Sequence, residues 1–480
     1  MLPVTVSAED FNYETINSYT YDYWGKGVVS PDCYKIEKIT DASQTTSFKE
    51  PSDLFIDDNG EVYVADTGNN RIVVLNSDLT YKKEYKTFKN KGKTETLSGP
   101  SGVFVDKNGC ILIADTQNHR VLKSDNNGNI IRFFSKPDKS FNFTGIDYLP
   151  TKIIEDSNDC VYVLCNGIFQ GAMMYEGNGD FIGYYGANNV EITLSVIVET
   201  FWHKFMTKAQ REKSVKFVPL EFDNMFLDED GFIYTVTSSS SASKNQIKKL
   251  NPKGDNVLKD SSSISAEYAG VYGDLKAVIY NGKKYETEFV DVTVDKSGFI
   301  SAVDMQRGRI FQYDSEGNMM VAFCSIGTQN NTFGLPSAIE NYNDRLFVLD
   351  SKKNNIVVFS LTDYGQILHN AILEYNDGNF SKSEGLWKQV LKSNDNYNLA
   401  YTGIGKIYHE KKDYKNAMKY FKLSGDRINF ANSFKQYRNI ILRNTVFPLI
   451  AILILLAVVF YIGKKIYIKI KKSRNKGVKL

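Results

Sequence analysis

The chain has 480 residues, of which 42% are hydrophobic and 24% charged, so neither a wholly disordered chain nor a polytopic membrane protein fits it. Lys and Arg number 58 against 56 Asp and Glu, but eight of the basic residues crowd without an acid into 464–480, which leaves the rest of the chain at −6. Thirty Tyr, thirty Phe and 34 Gly beside ten Pro and five Cys favour short aromatic strands and turns over a disulfide scaffold.

The opening MLPVTVSAED lacks a basic n-region, yet Val4 to Ala8 reads as the end of an export signal with small residues at a cleavage point after Ala8. Residues 1–8 are therefore expected to be a signal remnant. An aromatic-rich segment, 9–49, follows with Tyr13, Tyr19, Tyr21, Tyr23 and Trp24. Such a cluster either binds sugars or peptides or packs on the rim of the next domain.

From Pro51 the sequence repeats itself. PSDLFIDDNGEVYVADTGNNRIVVLNSD recurs from Pro100 as PSGVFVDKNGCILIADTQNHRVLKSDNNGN, and weaker copies begin at Thr151, Phe222, Phe289 and Pro336. Aligned on their turns, the register residues Asp57, Asp106, Asp156, Asp228, Asp295 and Asn341 lie 49, 50, 72, 67 and 46 residues apart. Each copy alternates apolar and polar residues, turns at Asp-x-x-Gly or a close variant, and alternates again, which is the pattern of a hairpin with an Asx turn. Further strands follow, as at Arg71 to Leu75 and Tyr81 to Tyr85. Six units of four strands over 50–365 predict a mainly β fold, a six-bladed β-propeller. Tyr34 to Ile39 is expected to add a strand to the last blade and close the ring, removing exposed edges. Within 190–213, Val196, Phe201, Phe205 and Met206 have near-helical spacing, which predicts a helical insertion over one face.

The stretches Ala65-Asp66-Thr67-Gly68-Asn69-Asn70-Arg71-Ile72, Ala114-Asp115-Thr116-Gln117-Asn118-His119-Arg120-Val121 and Val303-Asp304-Met305-Gln306-Arg307-Gly308-Arg309-Ile310 resemble the NHL repeat, a resemblance that covers about residues 50–375. The sixth copy departs from it with Asn355 in place of the arginine, and the third and fourth lose the motif. Asp66 with Arg71, Asp115 with Arg120 and Asp304 with Arg309 are expected to be structural, each pair combining a turn hydrogen bond with a charge pair that holds blades together.

Four residues before each register position the inner strand begins, and Asp53, Gly102, Lys152, Asn224, Asp291 and Ser337 are expected to ring the channel mouth. Two carboxylates, an amide and a hydroxyl suit a hard cation such as calcium, and propeller lactonases of the gluconolactonase/regucalcin type hold one with acidic and amide ligands. Lys152 in the same ring opposes that. The expectation is a wet polar mouth with no resident cofactor, where Asp53, Lys152, Asn224, Asp291 and Ser337 meet a ligand. His119, His203, His369 and His409 have no metal-ligand spacing. Cys160 and Cys165 would face opposite sides of one strand. Cys33, Cys110, Cys160, Cys165 and Cys324 read mostly as buried small apolar residues, with a bridge from Cys33 left open. No nucleophile or dinucleotide motif is present, and no catalytic residue is nominated.

After residue 366 the period becomes helical. Phe380 and Tyr414, Ser383 and Ala417, Trp387 and Phe421, and upstream Ala371 and Gly405, stand 34 residues apart. This resembles the tetratricopeptide repeat, two copies over 366–425, with the usual aromatic absent at Glu374 and present at Tyr408. About three repeats are normally needed for independent stability, so the pair is expected to lean on the propeller or on a juxtamembrane helix at 426–444.

Val446 to Ile462 holds seventeen residues without a charge, about 26 Å of helix and near the short end for a span. A core helix should show a polar face, and this one has none, so 445–463 is expected to cross a membrane, with Pro448 in its first turn where a missing N–H costs little. The basic tail 464–480 then lies in the cytoplasm, touching anionic lipid at about 1 kcal/mol per charge, and residues 1–444 lie outside. The whole order resembles the bacterial membrane-anchored NHL-repeat propeller proteins with tetratricopeptide-like repeats. That resemblance implies an extracytoplasmic binding or scaffold protein beside a transport or envelope complex, whose partners are membrane lipid and another membrane or envelope protein. The alternative is a metal-dependent lactonase or hydrolase acting at the propeller mouth. RNA binding requires a basic propeller face, and the acidic body opposes it, so no nucleic acid is expected.

Overall fold

The computed structural model describes residues 18–40, 47–137, 147–186, 222–238, 244–259, 264–280 and 282–476. The expected signal remnant 1–8, Tyr13, the insertion 190–213 and His203 lie outside them.

Each copy of the repeat folds as one antiparallel sheet. The first is Asp53–Ile56, Val62–Asp66, Arg71–Leu75 and Tyr81–Tyr85, paired in chain order. The second is Pro100–Val105, Ile111–Asp115, Arg120–Ser124 and Ile130–Phe134, and the third Pro150–Glu155, Val161–Cys165, Ala172–Tyr175 and Phe181–Tyr185. Among the described residues the fourth has three strands, Asn224–Leu227, Ile233–Val236 and Ile247–Leu250. The fifth runs Phe289–Val294, Ile300–Asp304, Arg309–Tyr313 and Met319–Phe323, and the sixth Pro336–Tyr342, Arg345–Asp350 and Asn355–Leu361.

The second strands of the first, second, third and fifth sheets are buried at every residue. Apolar side chains of one blade mesh with those of the next, so the core is a series of seams. Val64 and Val73 of blade one pack with Phe347 and Val358 of blade six, while Ala65 and Ile72 pack with Val103 and Ile113 of blade two. Blade six therefore returns to blade one, and the six sheets form a closed propeller.

Tyr34–Thr40 pairs antiparallel with Asn355–Leu361, Ile36 opposite Phe359 and Lys38 opposite Val358. The fourth strand of the last blade thus comes from upstream of the first. Ser18–Tyr21 and Gly27–Val29 extend blade five outward, Ser18 lying opposite Phe323. In this aromatic segment Tyr19 is buried against Tyr21, whereas Trp24 is 64% exposed.

The hairpin turns follow from Asp-x-x-Gly. Asp57 Oδ1 accepts the N–H of Asn59 and of Glu61 at 3.0 and 2.8 Å, and Gly60 supplies a φ of 78°. Blade six differs: Asn343 and Asp344, both at positive φ, make a two-residue turn between Tyr342 and Arg345. Asn341 is therefore a ladder residue opposite Leu346 and not the turn residue, and the register of this inner strand moves by one.

The chain divides into two compact units, Met1–Leu399 and Ala400–Leu480, and the division falls inside the expected helical pair. The first unit holds the propeller with a hairpin of α1 (Asp363–Asn376) and α2 (Phe380–Ser393). Thr362 caps α1 by accepting the Gly365 N–H, and its hydroxyl donates to Asp32 O at 2.6 Å. His369 Nε2 lies 2.8 Å from Gln312 Oε1 on blade five, and Tyr397 donates to Met320 O at 2.8 Å. Ser383 closes the hairpin by donating to Ala371 O at 2.7 Å.

The second unit continues through α3 (Asn398–Glu410), α4 (Tyr414–Ser424) and α5 (Arg427–Ile441) to α6 (Phe447–Lys476). Phe421 packs so closely on Gly405 that a Cβ there would come within 2.6 Å of the ring. A five-residue π turn, Leu442–Val446, joins α5 to α6 without a break. Pro448 consequently lies inside a long helix and not in a first turn as the sequence suggested. It removes the N–H that would reach back to Asn444 and crowds that carbonyl, and the wider π turn absorbs the misfit.

Candidate functional site

Two sets of polar residues recur around the ring: one inside individual blades, where the charge pair expected to hold blades together instead joins strands of the same blade, and one at the axis. In blade one, Arg71 Nε donates to Asp66 Oδ2 at 2.6 Å and its Nη1 to Glu84 at 2.7 Å, with Arg71 and Asp66 fully buried. Asp66 Oδ1 accepts the Lys49 N–H at 2.7 Å, so it also holds the segment leading into the inner strand. Blade two repeats this with Arg120 on Asp115 at 2.8 Å and on Glu95 at 2.9 Å, and with the Ser98 N–H on Asp115. The position before each arginine, and before Asn355 in blade six, has a left-handed backbone, filled by Asn70, His119, Gly308 and Asn354 at φ 52°, 53°, 64° and 54°. In blade six Asp350 accepts four backbone N–H groups, from Gly334, Leu335, Lys352 and Lys353, and needs no arginine.

Blade five departs from the expected pair. Arg309 does not bond Asp304; it and Arg307 both bond Asp274, which also accepts from the Tyr19 and Tyr21 hydroxyls. Arg307 replaces the motif asparagine, and the carboxylate supplied by the segment before the blade draws both guanidiniums away. Burial tends to raise the Asp274 carboxyl, but Arg309 and Arg307 outweigh it and hold it low. Asp304 keeps the N–H groups of Glu288 and Gln306 at 3.1 and 2.9 Å. Its Oδ2 is buried without a hydrogen bond, and burial pushes the carboxyl up to about 7.

At the axis, Asp53 and Asn224 open their inner strands, Lys152 and Asp291 are the third residues of theirs, and all four are buried. Lys152 Nζ reaches from blade three to Asp53 Oδ1 of blade one at 2.7 Å, while Asp53 Oδ2 accepts the Val103 N–H of blade two at 2.9 Å. Asp291 accepts the N–H of Val292 and, from blade six, of Ile339 at 2.7 Å. Asn224 Oδ1 accepts the Met225 N–H. Gly102 takes the same position in blade two, where a Cβ would meet Thr151 O at 2.5 Å, so only glycine permits this approach.

Ser337 does not join the ring. Because the blade-six register is displaced by one, Ala338 takes the axial position, and Ser337 sits at the level of Ser52 and Ser101, donating to Pro51 O at 3.3 Å. Ser52 and Ser101 likewise donate to the next blade, to Ser101 O and Pro150 O at 3.1 and 3.2 Å.

Two residues further along the inner strands, Thr293 donates to Glu340 Oε2 at 3.1 Å and receives the Asn341 amide at 2.6 Å. Sequence reasoning missed Glu340 because only the first axial position of each inner strand was considered, and Glu340 stands two residues beyond it. Burial pushes the Glu340 and Asp291 carboxyls well up, with Lys152 opposing. The set does not fit calcium while Lys152 is in place, because an ammonium and three backbone N–H groups occupy the oxygens of both aspartates. Among the described residues no three His, Cys, Asp or Glu side chains are grouped to hold a metal.

The described histidines His119, His369 and His409 each have a hydrogen-bond partner. His119 Nδ1 lies 3.1 Å from Tyr148 O and His409 Nδ1 2.8 Å from Ser433 Oγ. The five cysteines are free, Cys33 and Cys165 buried, with burial raising both thiols.

These features define a six-bladed β-propeller whose polar residues tie blade to blade, followed by helices that end in one long apolar helix. Residues 48–75 match the family described as NHL repeat, so blade one carries that repeat. Comparison with curated proteins gives no match. Among solved structures, virginiamycin B lyase from Staphylococcus aureus is 12% identical over 68% of this chain and 100% of its own, at a TM-score of 0.41. A candidate gluconolactonase is 10% identical over 69% of this chain and 94% of its own, at 0.38. A protein of unknown function from Bacteroides thetaiotaomicron is 11% identical over 72% and 76%, at 0.41. At these scores the likeness carries no argument about activity or substrate.

Proposed function

We propose that this chain is a non-catalytic binding or scaffold protein held at a membrane by one span, its propeller presenting a surface to another membrane or envelope protein. The observation that carries the reading is the helix Arg427–Arg474, long and apolar enough to cross a membrane and with none of its apolar stretch buried. Leu455 and Phe460 are 63% and 75% exposed, which water does not tolerate along a whole helix surface and lipid does.

The charges flanking the span give its direction. Arg427, Lys435, Arg438 and Arg443 precede it, whereas eight basic residues follow it. The heavier side goes to the cytoplasm and the propeller to the outside. The helical pairs, 34 residues apart in their second helices, serve in this reading as a tetratricopeptide-like adaptor between propeller and bilayer.

Support for a non-catalytic role comes from the axis and the motif residues, whose polar groups, Asp304 Oδ2 aside, bond one another and the backbone. A metal-dependent hydrolase has little to work with where an ammonium occupies the ring of acids. The test is photo-crosslinking of the intact protein in its membrane from surface positions of the propeller, followed by mass spectrometry. One reproducible membrane or envelope neighbour is expected; turnover of lactones by the purified protein, with no reproducible neighbour, would contradict the reading.

A further inference from the structure

We propose that the Lys152 ammonium is the resident cation of the propeller axis, a tethered replacement for a divalent ion among converging acids. The inner strands deliver Asp53, Asn224 and Asp291 at one level and Glu340 at the next, each no more than 7% exposed. Three buried carboxyls without a compensating charge would be costly, and the cation comes from the chain itself. Lys152 spans from blade three to blade one across blade two, whose own axial residue is Gly102, so no side chain stands in its path.

The electrostatics agree with the placement. Burial works against the charge on Lys152, yet Asp53, Asp291 and Glu340 together outweigh it and hold the ammonium more firmly protonated than usual. One ammonium neutralises one carboxylate, and burial keeps Glu340 and Asp291 inclined to hold their protons. Withdrawing Lys152 would free Asp53 Oδ1 and leave Asp53, Asp291 and Glu340 without the positive charge that offsets them, the condition under which an added cation is drawn in. This deepens the non-catalytic reading proposed above, since it explains how an acid-lined propeller mouth dispenses with metal.

The experiment is thermal unfolding of the full-length protein in detergent, with EDTA and with millimolar calcium or magnesium chloride. The wild type is expected to unfold at the same temperature in all three. Lys152→Ala should unfold earlier in EDTA and regain about 2 °C or more with metal, saturating with concentration. Lys152→Met, which fills the space without a charge, should lose stability and gain nothing from metal. If Lys152→Ala does not fold unaided, its refolding yield with metal against EDTA gives the same reading, dependence supporting the inference and independence overturning it. Calcium raising the wild-type midpoint, or Lys152→Ala indifferent to metal, overturns the tethered cation and leaves membrane anchoring and partner capture untouched.

Discussion

Asp304 and Arg309 stand opposite each other in the ladder of blade five, yet they do not bond. The guanidinium turns to Asp274, whereas the equivalent Asp66 and Arg71 of blade one are joined at 2.6 Å with neither exposed. The same motif is thus a clamp in one blade and an unpaired acid in another.

Breaking the clamp should be costly. Arg71→Ala leaves Asp66 buried without its partner and is expected to destabilise the protein by about 3–5 kcal/mol in chemical denaturation. Arg120→Ala, whose side chain is partly exposed, should cost less.

Asp304 should behave in the opposite way. Its folded-state pKa near 7 lies above the ordinary carboxyl value, so the native protein keeps a proton that the unfolded chain loses, and stability falls as pH rises from about 4 to 7. Asp304→Asn keeps the oxygen that accepts the Glu288 and Gln306 N–H groups. It is expected to raise stability by about 1–3 kcal/mol at pH 8 and to have little effect at pH 4. A variant equally stabilised at both would contradict the assignment.

His369 shows the reverse sign. Burial lowers its pKa to about 4, so below the unfolded value of about 6.5 the unfolded chain binds the proton first and stability drops as pH falls towards 4. Comparing the wild type with His369→Gln across that range should show the wild type losing ground only on the acid side. Parallel curves would mean that the ring stays solvated.

Closure of the ring depends on Tyr34–Thr40. Ile36→Pro inserts a residue without an N–H into the strand paired with Phe359, and is expected to cost about 3 kcal/mol and to speed hydrogen exchange in Asn355–Leu361. Unchanged exchange there would show that blade six is complete without the added strand.

The sequence made the blades legible because Asp-x-x-Gly turns and alternation recur wherever a hairpin must bury one face and cap one turn. It made the axial aspartates legible too, since their position is a fixed distance from that turn. Blade six was misread because Asn343 and Asp344 make a tighter turn by backbone conformation, with no Gly to announce it, and so Ser337 was taken for Ala338; Glu340 was missed because it lies two residues beyond the one axial position considered. The pairing of Arg309 with Asp274 was hidden for another reason: the carboxylate lies 35 residues away in a segment outside the repeat. Nor does local pattern reveal that Ser18–Tyr21 joins blade five, a partner some 300 residues downstream.

Orientation across the membrane tests the central claim most directly. Protease is added to intact cells expressing the protein with a tag after Leu480, and fragments are probed before and after permeabilisation. The account predicts loss of the propeller in intact cells with the tag cleaved only after permeabilisation. An intact propeller with the tag removed from outside would contradict it.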